Sequence, residues 1–560
     1  MKLSEQLDAA PERSSYSHLV REYLIDRWKQ VEEALPGAAL GLVGSFGRDV
    51  GGPRSDLDVV VLLPGPISRL DDGEEAITQF VQGLWDSGLG VDHSVRTPAQ
   101  AAEIAGADLP ALTGLLHLTH VAGNEELSRT TVSRILDEYR KAARRRAGDL
   151  LADAERRWKR FDRLDRLNEP DLKYSEGGLR DVDFLLALST SWLTDFDRPA
   201  VAQSETIILD VRDALHRVTG RQATRLMRAY QEDVSEMAGY ASETRMMRAL
   251  RDASEIISDQ VREAAVAAKA SQKSWGPMGL SLRRKRPRVD PDWVSDSLQV
   301  TEGTLCFRRP ADAHDPDRVF EIACWGATHR IPISPATLAD MAETIGMPFE
   351  WTPQRVDSLI DLLGAGPGLR DTWEQLDRVG IPVWWIPQWA GLRGRPQSAD
   401  FHQWTVDRHL IETVIRAQAI IAGTEAEWDG RPIPYPDTLL LTALLHDLGK
   451  QPPHGGVHHA AHGAALAAPL LDEMGIAQKA DVIALIENHL LLATLSTEAD
   501  PEDPLTSETL VNAVSGRRDM VVMLEALTFA DSLGAGPKAW SPWRAALMRQ
   551  LMSQVQLQWG

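Results

Sequence analysis

One stretch constrains this chain more than any other: "GSFGRDVGGPRSDLDVVVLL", residues 44–63. The short apolar run "LDVVVLL", bounded by Gly, Pro and Ser, predicts a strand, and "LGLV" just before the turn predicts another. The chain should therefore open as an α/β structure. Strand side chains alternate faces, so Asp56 and Asp58 project to one side while Leu57 points into a core. Two like charges at that spacing call for a cation. A hard divalent ion such as Mg²⁺ takes carboxylate oxygens and keeps phosphate oxygens as its remaining ligands, so the pair suits a nucleoside triphosphate. Gly44 and Gly47 leave the backbone N–H groups of the turn open to phosphate, and Ser45 adds a hydroxyl donor.

At 560 residues the chain is long enough for several compact units, each with its own core. Residues 15–36 carry helical periodicity that ends near "LPGAA". From about 98 to 270, Leu, Ala, Arg and Glu recur at helical spacing, which predicts a helical bundle. Gly, Pro and positive charge in "SQKSWGPMGLSLRRKRPRVDP" mark a linker at 271–290. Residues 291–400 mix strand-like pieces ("LQVTEGTLCFRRP") with helical ones ("TPQRVDSLIDLLGAG"), and from 401 the spacing is helical to the end. The expected class is α+β and predominantly helical: an α/β head over 1–97, a helical bundle over 98–270, a linker and mixed α/β region over 271–400, and an all-α domain over 401–560.

A second motif, "LLLTALLHDLGK", sets His446 and Asp447 at the end of an apolar helix. Neighbouring helical residues point about 100° apart, so both reach one ion only if it sits against that end of the helix. Further ligands must come from elsewhere: His409 in "TVDRHLIET", His459 in "HHAAHGAA", His489 in "IENHLLLA" and Asp531 in "TFADSLG". Among His454, His458, His459 and His462, the order of "HxxxGA" favours His459. Imidazole with carboxylate suits a transition metal or Mg²⁺, and an ion there makes hydroxide available near neutral pH to attack a phosphoester.

The combination "GSFGR…SDLD" resembles the nucleotidyltransferase superfamily, whose members add a third carboxylate from a neighbouring strand; Asp92 in "GLGVDHSVRT", two strands later, is the candidate. The order His409, His446–Asp447, Asp531 is similar to that of HD phosphohydrolases. With "DLKYSEGGLRDVDFLLAL", "LHRVTGR", "HQWTVDRHLIET" and "ADSLGAGPKAWSPWRAAL", the chain from about residue 40 onward resembles the bifunctional PII uridylyltransferase/uridylyl-removing enzymes, in an actinobacterial-like form.

That resemblance implies nucleotidyl transfer from UTP to a tyrosine of the PII signal protein, removal of the group in the HD domain, and ATP in place of UTP in some actinobacterial relatives. It implies Mg²⁺ or Mn²⁺ and nucleotide phosphates on Asp56 and Asp58, with Gly44, Ser45 and Arg48 about the phosphate. It also implies a hydrolytic divalent metal on His409, His446, Asp447 and Asp531. Lys173 and Arg180 are candidates for phosphate contact, and Gly177 and Gly178 for a tight turn. The family continues past "WSPWRAAL" into paired ACT modules that sense glutamine, whereas this sequence stops at Gly560, which suggests a truncated chain or a member lacking that sensor.

Composition narrows the field. A formal net charge of -21 disfavours general nucleic-acid binding, and with it the competing resemblance to CCA-adding or poly(A)-type nucleotidyltransferases. A non-catalytic regulator that docks PII is the other alternative, disfavoured because both ligand sets are intact. Two cysteines, Cys306 and Cys324, are too few for a disulfide framework. No uninterrupted apolar run approaches the ~18 residues of a membrane span, so a cytoplasmic enzyme is expected.

Overall fold

A computed structural model of the chain describes residues 2–10, 12–273, 292–397, 399, 401–429, 431–451 and 459–558. The chain divides into two compact units, 1–278 and 279–560. The linker expected at 271–290 lies outside the described residues from 274 onward, as do its basic run and His454 and His458.

The first unit is built on a four-stranded sheet of order β3-β2-β1-β4, with β1 Ala39–Leu42, β2 Leu57–Leu62, β3 Val91–Arg96 and β4 Thr119–Gly123. β2 runs parallel to β3, and β1 is antiparallel to both β2 and β4. Alternation sorts the side chains: Leu57, Val59 and Val61 join a core with Trp28 and Phe80, whereas Val60 and Leu62 join a separate core with the helical residues Leu185, Leu215 and Leu250. Asp58 has the parity of Val60 and Leu62, so it stands on the helix-covered face. Burial of both faces explains why β2 reads as a continuous apolar run.

Two expectations change here. The helix expected over 15–36 runs Arg13–Trp28, and the periodicity beyond it is carried by a 3₁₀ turn, Glu32–Ala34, flanked by buried Val31 and Leu35. The region read as uniformly helical from 98 supplies β4, so the sheet of the head extends past residue 97. β4 has only five residues, "THVAG", between Leu- and Ala-rich helices, and pairing with β1 rather than local periodicity makes it a strand. The helices Leu179–Thr190, Arg198–Thr219 and Glu243–Lys273 are among those that pack into the second of these cores.

The second unit begins with a three-stranded sheet, β5 Asp292–Trp293, β6 Leu298–Thr301 and β7 Thr304–Phe307. Glu302 and Gly303, both at positive φ, make the tight turn between β6 and β7. One continuous core runs from Leu298 to Val555, so the mixed segment and the later helices share an interior. Arg370 binds Glu412 through two contacts of 2.6 Å, and Arg408 binds Glu374 and Glu412, joining the helices Gly368–Arg378 and Val406–Ile421.

Among the described residues one segment, Lys479–Glu498, is long and apolar enough to cross a membrane by length and composition alone, a property that its interspersed polar residues hide in an uninterrupted-run reading. It is broken into two helices, Lys479–Asn488 and Leu491–Glu498, with buried His489 at the break.

Candidate active sites

The first site forms where the Gly-Ser turn meets the acid-bearing strands. Gly44 lies at φ 63, and a Cβ there would stand 2.0 Å from Asp58 Oδ2, so glycine is required both for the backbone and for the approach of the carboxylate. The turn is tied to the strand by the Val43 N–H, which donates to the Asp58 carbonyl at 2.9 Å. Thr119 at the start of β4 donates its hydroxyl to the Gly47 carbonyl at 2.7 Å, so the strand missed in the sequence helps to hold the turn.

Asp92 lies directly opposite Asp58 in the β2–β3 register, on the adjacent strand rather than two strands away. Asp56, Asp58 and Asp92 line one cavity of about 480 Å³ with Gly44, Ser45, Arg48, Lys173 and Arg180. The structure therefore brings together all eight residues singled out for this site. Burial, then the charges of Asp56 and Asp92, raise Asp58 to about 6 against the partial relief of Lys173 and Arg180. A bound divalent cation would remove that repulsion, so the donor set fits one.

Arg48 stands differently from its neighbours. Its guanidinium is engaged by Asp183 and Glu205, from the helices Leu179–Thr190 and Arg198–Thr219. It thus anchors the turn to the helical wall. Arg180 shares Asp183, at 3.2 Å, and keeps more of its side chain exposed. The loop "DLKYSEGGLRD" is held by its own acids: Asp171 accepts from the Lys173 and Tyr174 N–H groups and from the Thr224 hydroxyl, and buried Asp181 accepts from the Gly177 N–H, Arg157 and Trp158. Gly177 is at φ 79, the tight turn expected of it.

The sequence reading missed the opposite wall. Glu205, Arg212 and His216 recur at spacings of seven and four on one helix and all line the cavity. That spacing was the available signal. Arg212 donates to the Val50 carbonyl and to Asp213, fixing the loop that leads to the acids.

The second site lies within the second unit. His409 comes from the helix Val406–Ile421, His446 and Asp447 from the end of Pro436–Leu445, His459 from the start of His459–Glu473, and Asp531 from Arg518–Ala535. His489 completes the set, so all six expected ligands converge. His409 Nε2 is 2.9 Å from Asp531 Oδ1, and His446 Nε2 is 3.5 Å from both Asp531 Oδ1 and Asp447 Oδ2. The Nδ1 atoms of His446 and His489 face the Ala443 and Ile486 carbonyls at 2.9 and 2.7 Å, which leaves each Nε2 turned inward as a ligand atom. His462 belongs to neither group of convergent donors.

These donors fit a metal. His446 Nε2 and Asp447 Oδ1 are buried without an aligned hydrogen bond, and the atoms fall into two groups, His409–His446–Asp531 and Asp447–His459–His489, each spanning no more than 4.8 Å. Burial alone would raise Asp447, but Lys450, His446 and His459 hold its carboxyl well below the usual range. Asp531 is likewise held low, against burial, by His409 and His446. Burial lowers His446, but Asp447 and Asp531 outweigh it and raise the imidazole, while burial beside His446 lowers His489 to about 4. Lys450, 2.6 Å from Asp447 Oδ2 and 2.6 Å from Gln397 Oε1, is a further residue that sequence reasoning did not single out, although it closes the "HDLGK" motif.

Comparison with known proteins matches three segments of the chain. A nucleotidyltransferase domain model matches residues 23–105, a GlnD PII-uridylyltransferase model matches 145–264, and an HD domain model matches 406–530. Bifunctional uridylyltransferase/uridylyl-removing enzymes from Streptomyces coelicolor, Mycobacterium tuberculosis and Corynebacterium glutamicum are 34%, 32% and 28% identical over 97%, 99% and 90% of this chain. The chain spans 65%, 68% and 70% of their respective lengths. With such identity along nearly its whole length, and with both sets of site residues assembled, the chain belongs to the bifunctional uridylyltransferase/uridylyl-removing enzyme family.

Proposed function

We propose that this chain is a cytoplasmic enzyme that both attaches a nucleotidyl group to a tyrosine of the PII signal protein and removes it. One observation carries the reading: a cavity that gathers three carboxylates beneath a Gly-Ser turn, and an imidazole–carboxylate cluster, occur on one chain. In the transfer, the tyrosine hydroxyl attacks the α-phosphorus of UTP or ATP, pyrophosphate leaves, and the phenolic proton is lost. In the removal, water attacks the same phosphorus, and NMP and the tyrosine hydroxyl are regenerated. Mg²⁺ or Mn²⁺ at the first site and a divalent ion at the second would supply Lewis acidity to phosphate oxygens and to water.

Within this reading, Asp56, Asp58 and Asp92 hold the metal and the triphosphate, while Gly44 and Ser45 present donors to phosphate. Lys173 and Arg180 carry compensating positive charge on the same cavity, supported by their effect on Asp58. Arg48 serves the nucleotide indirectly, by fixing the turn. His409, His446, Asp447, His459, His489 and Asp531 form the hydrolytic centre. The names of the relatives favour UMP as the transferred group.

The test is mass spectrometry of PII incubated with this chain, Mg²⁺ or Mn²⁺, and either UTP or ATP. An adduct of one nucleotide monophosphate on a tyrosine is expected, and it should disappear on further incubation once the triphosphate is removed. Label incorporated into RNA, with PII unmodified, would overturn the reading.

A further inference from the structure

The wall opposite the acids of the first cavity ends in a fold-back. The helix Arg198–Thr219 stops at Gly220, φ 66, and the chain returns so that the backbone of Ala223 becomes a hydrogen-bond partner of His216. The returning segment is tied down: the Leu172 N–H donates to the Thr224 carbonyl at 2.8 Å, and the Leu226 N–H to the Pro170 carbonyl at 2.9 Å. It therefore lies beside the loop that carries Lys173. His216, Gln222 and Thr224 line the cavity together with Leu172, Lys173 and Leu209.

Two side chains of this segment have hydrogen-bonding capacity that the protein leaves unfilled. His216 is only 2% exposed, and its Nδ1 is buried without a hydrogen-bond partner. The Ala223 backbone raises the imidazole, as an accepting carbonyl does, so the nitrogen facing it holds the proton and Nδ1 is a bare lone pair. Burial and the charges of Arg212 and Lys173 keep the ring neutral. Gln222 is exposed, and its amide, a donor beside an acceptor, has no partner among the described residues. Lys173 sets the order along the cavity, because its charge lowers both Asp58 and His216 and so stands within reach of the acids and of the fold-back.

We infer that residues 216–224 form the nucleobase subsite of the transfer site: His216 Nδ1 accepts the N3–H of uracil, Gln222 donates its amide N–H to a flanking carbonyl, and Leu172 and Leu209 offer apolar surface to the ring. A triphosphate held by the acids and Lys173 then has its nucleoside end at the fold-back. A buried acceptor left without its donor is costly, so the contact selects for a base that carries the N–H. The inference rests on the proposed transfer role of this cavity and adds which residues read the base.

The experiment uses the full chain with Mg²⁺ and without PII, so that nothing accepts the nucleotide. Calorimetry measures affinity for UTP, for N3-methyl-UTP, for dUTP, which lacks one ribose hydroxyl, and for inorganic tripolyphosphate, which lacks base and sugar. UTP should bind at least about ten-fold more tightly than tripolyphosphate. Gln222→Ala and His216→Phe should each weaken UTP about ten-fold and leave tripolyphosphate unchanged, which also shows that the cavity is folded. Methylation at N3 should cost about ten-fold in the parent chain and nothing further in His216→Phe. Gln222 is exposed, so its variant tests the subsite even if His216→Phe does not fold. Weakened tripolyphosphate binding in Gln222→Ala would mean that the segment holds phosphate, and a penalty from dUTP in place of N3-methyl-UTP that it holds ribose. Either result overturns the inference and leaves the transfer reading in place, as does unchanged UTP affinity in Gln222→Ala or UTP bound no more tightly than tripolyphosphate. A chain that binds neither UTP nor tripolyphosphate overturns both.

Discussion

The two sites handle the same physical problem, carboxylates grouped in a partly or fully buried site, in opposite ways. At the first, burial and then the charges of two neighbouring acids, only partly offset by Lys173 and Arg180, drive Asp58 to about 6. At the second, Asp447 and Asp531 are more deeply buried yet stay ionised because imidazoles and Lys450 surround them. On the proposed function, the uncompensated acids receive their cation with the substrate, since a triphosphate arrives carrying a divalent ion. On the same reading, the compensated acids belong to a centre that keeps its ion between turnovers. The proposal is that this difference in charge compensation separates a substrate-borne metal from a resident one.

The largest expected effect breaks the comparison directly. Asp56→Ala with Asp58→Ala should lower nucleotidylation about 10³-fold and leave removal intact, while His446→Ala with Asp447→Ala should do the reverse. The two rates on PII, measured separately, check this; equal loss of both activities in either pair would mean that the sites are not independent.

A chelator sharpens the same contrast with a smaller effect. Nitrogen ligands hold transition metals more firmly than carboxylate oxygens hold Mg²⁺, so a brief EDTA pulse followed by desalting into metal-free buffer should abolish transfer, and removal should persist. A difference of about ten-fold or more in residual activity is expected from the ligand sets. Initial rates before and after the pulse provide the measurement, and equal sensitivity would erase the distinction between substrate-borne and resident ions.

Two glycines carry the comparison from charge to packing. Gly44→Ala places a methyl group 2.0 Å from Asp58 Oδ2, the end of a side chain that can swing aside, so the main loss should be catalytic, about 10²-fold in transfer. Gly449→Ala places one 1.9 Å from the His459 carbonyl oxygen and 2.5 Å from the Gly463 nitrogen, where only backbone can yield. The second unit should then lose about 1–3 kcal/mol of stability, along with removal. Calorimetric melting of both variants distinguishes the two outcomes.

The sequence made the chemistry of each site legible more readily than its mechanics. Alternation at the start of β2 put Asp56 and Asp58 on one side, and residue type and order pointed to six side chains that the fold brings together at the second site. What eluded it depends on contacts between distant segments. Arg48 is singled out by its place in the turn, but spacing does not reveal that Asp183 and Glu205, more than 130 positions away, engage its guanidinium. β4 is a strand because β1 lies beside it, and no local period reveals that. The return of Ala223 onto His216 is likewise a contact in space that spacing does not encode.

The smallest expected effect concerns a histidine on the wall of the first cavity. Burial, then the charges of Arg212, Lys173 and Arg54, lower His216 to about 3 despite the Ala223 backbone partner, whereas His446 in the second unit is raised by its acids. Between pH 6.5 and about 3 the unfolded chain binds a proton at residue 216 that the folded chain refuses. Stability contributed by this group is therefore complete above pH 6.5 and falls with acidification, by up to about 1.4 kcal/mol per pH unit. His216→Gln removes the titration. Lowering the pH from 6.5 to 5.5 should depress the melting temperature of the first unit about 3 °C more in the parent chain than in the variant. Equal depression in both would mean that the imidazole takes up its proton in the folded cavity, and that the wall facing the acids is cationic rather than neutral.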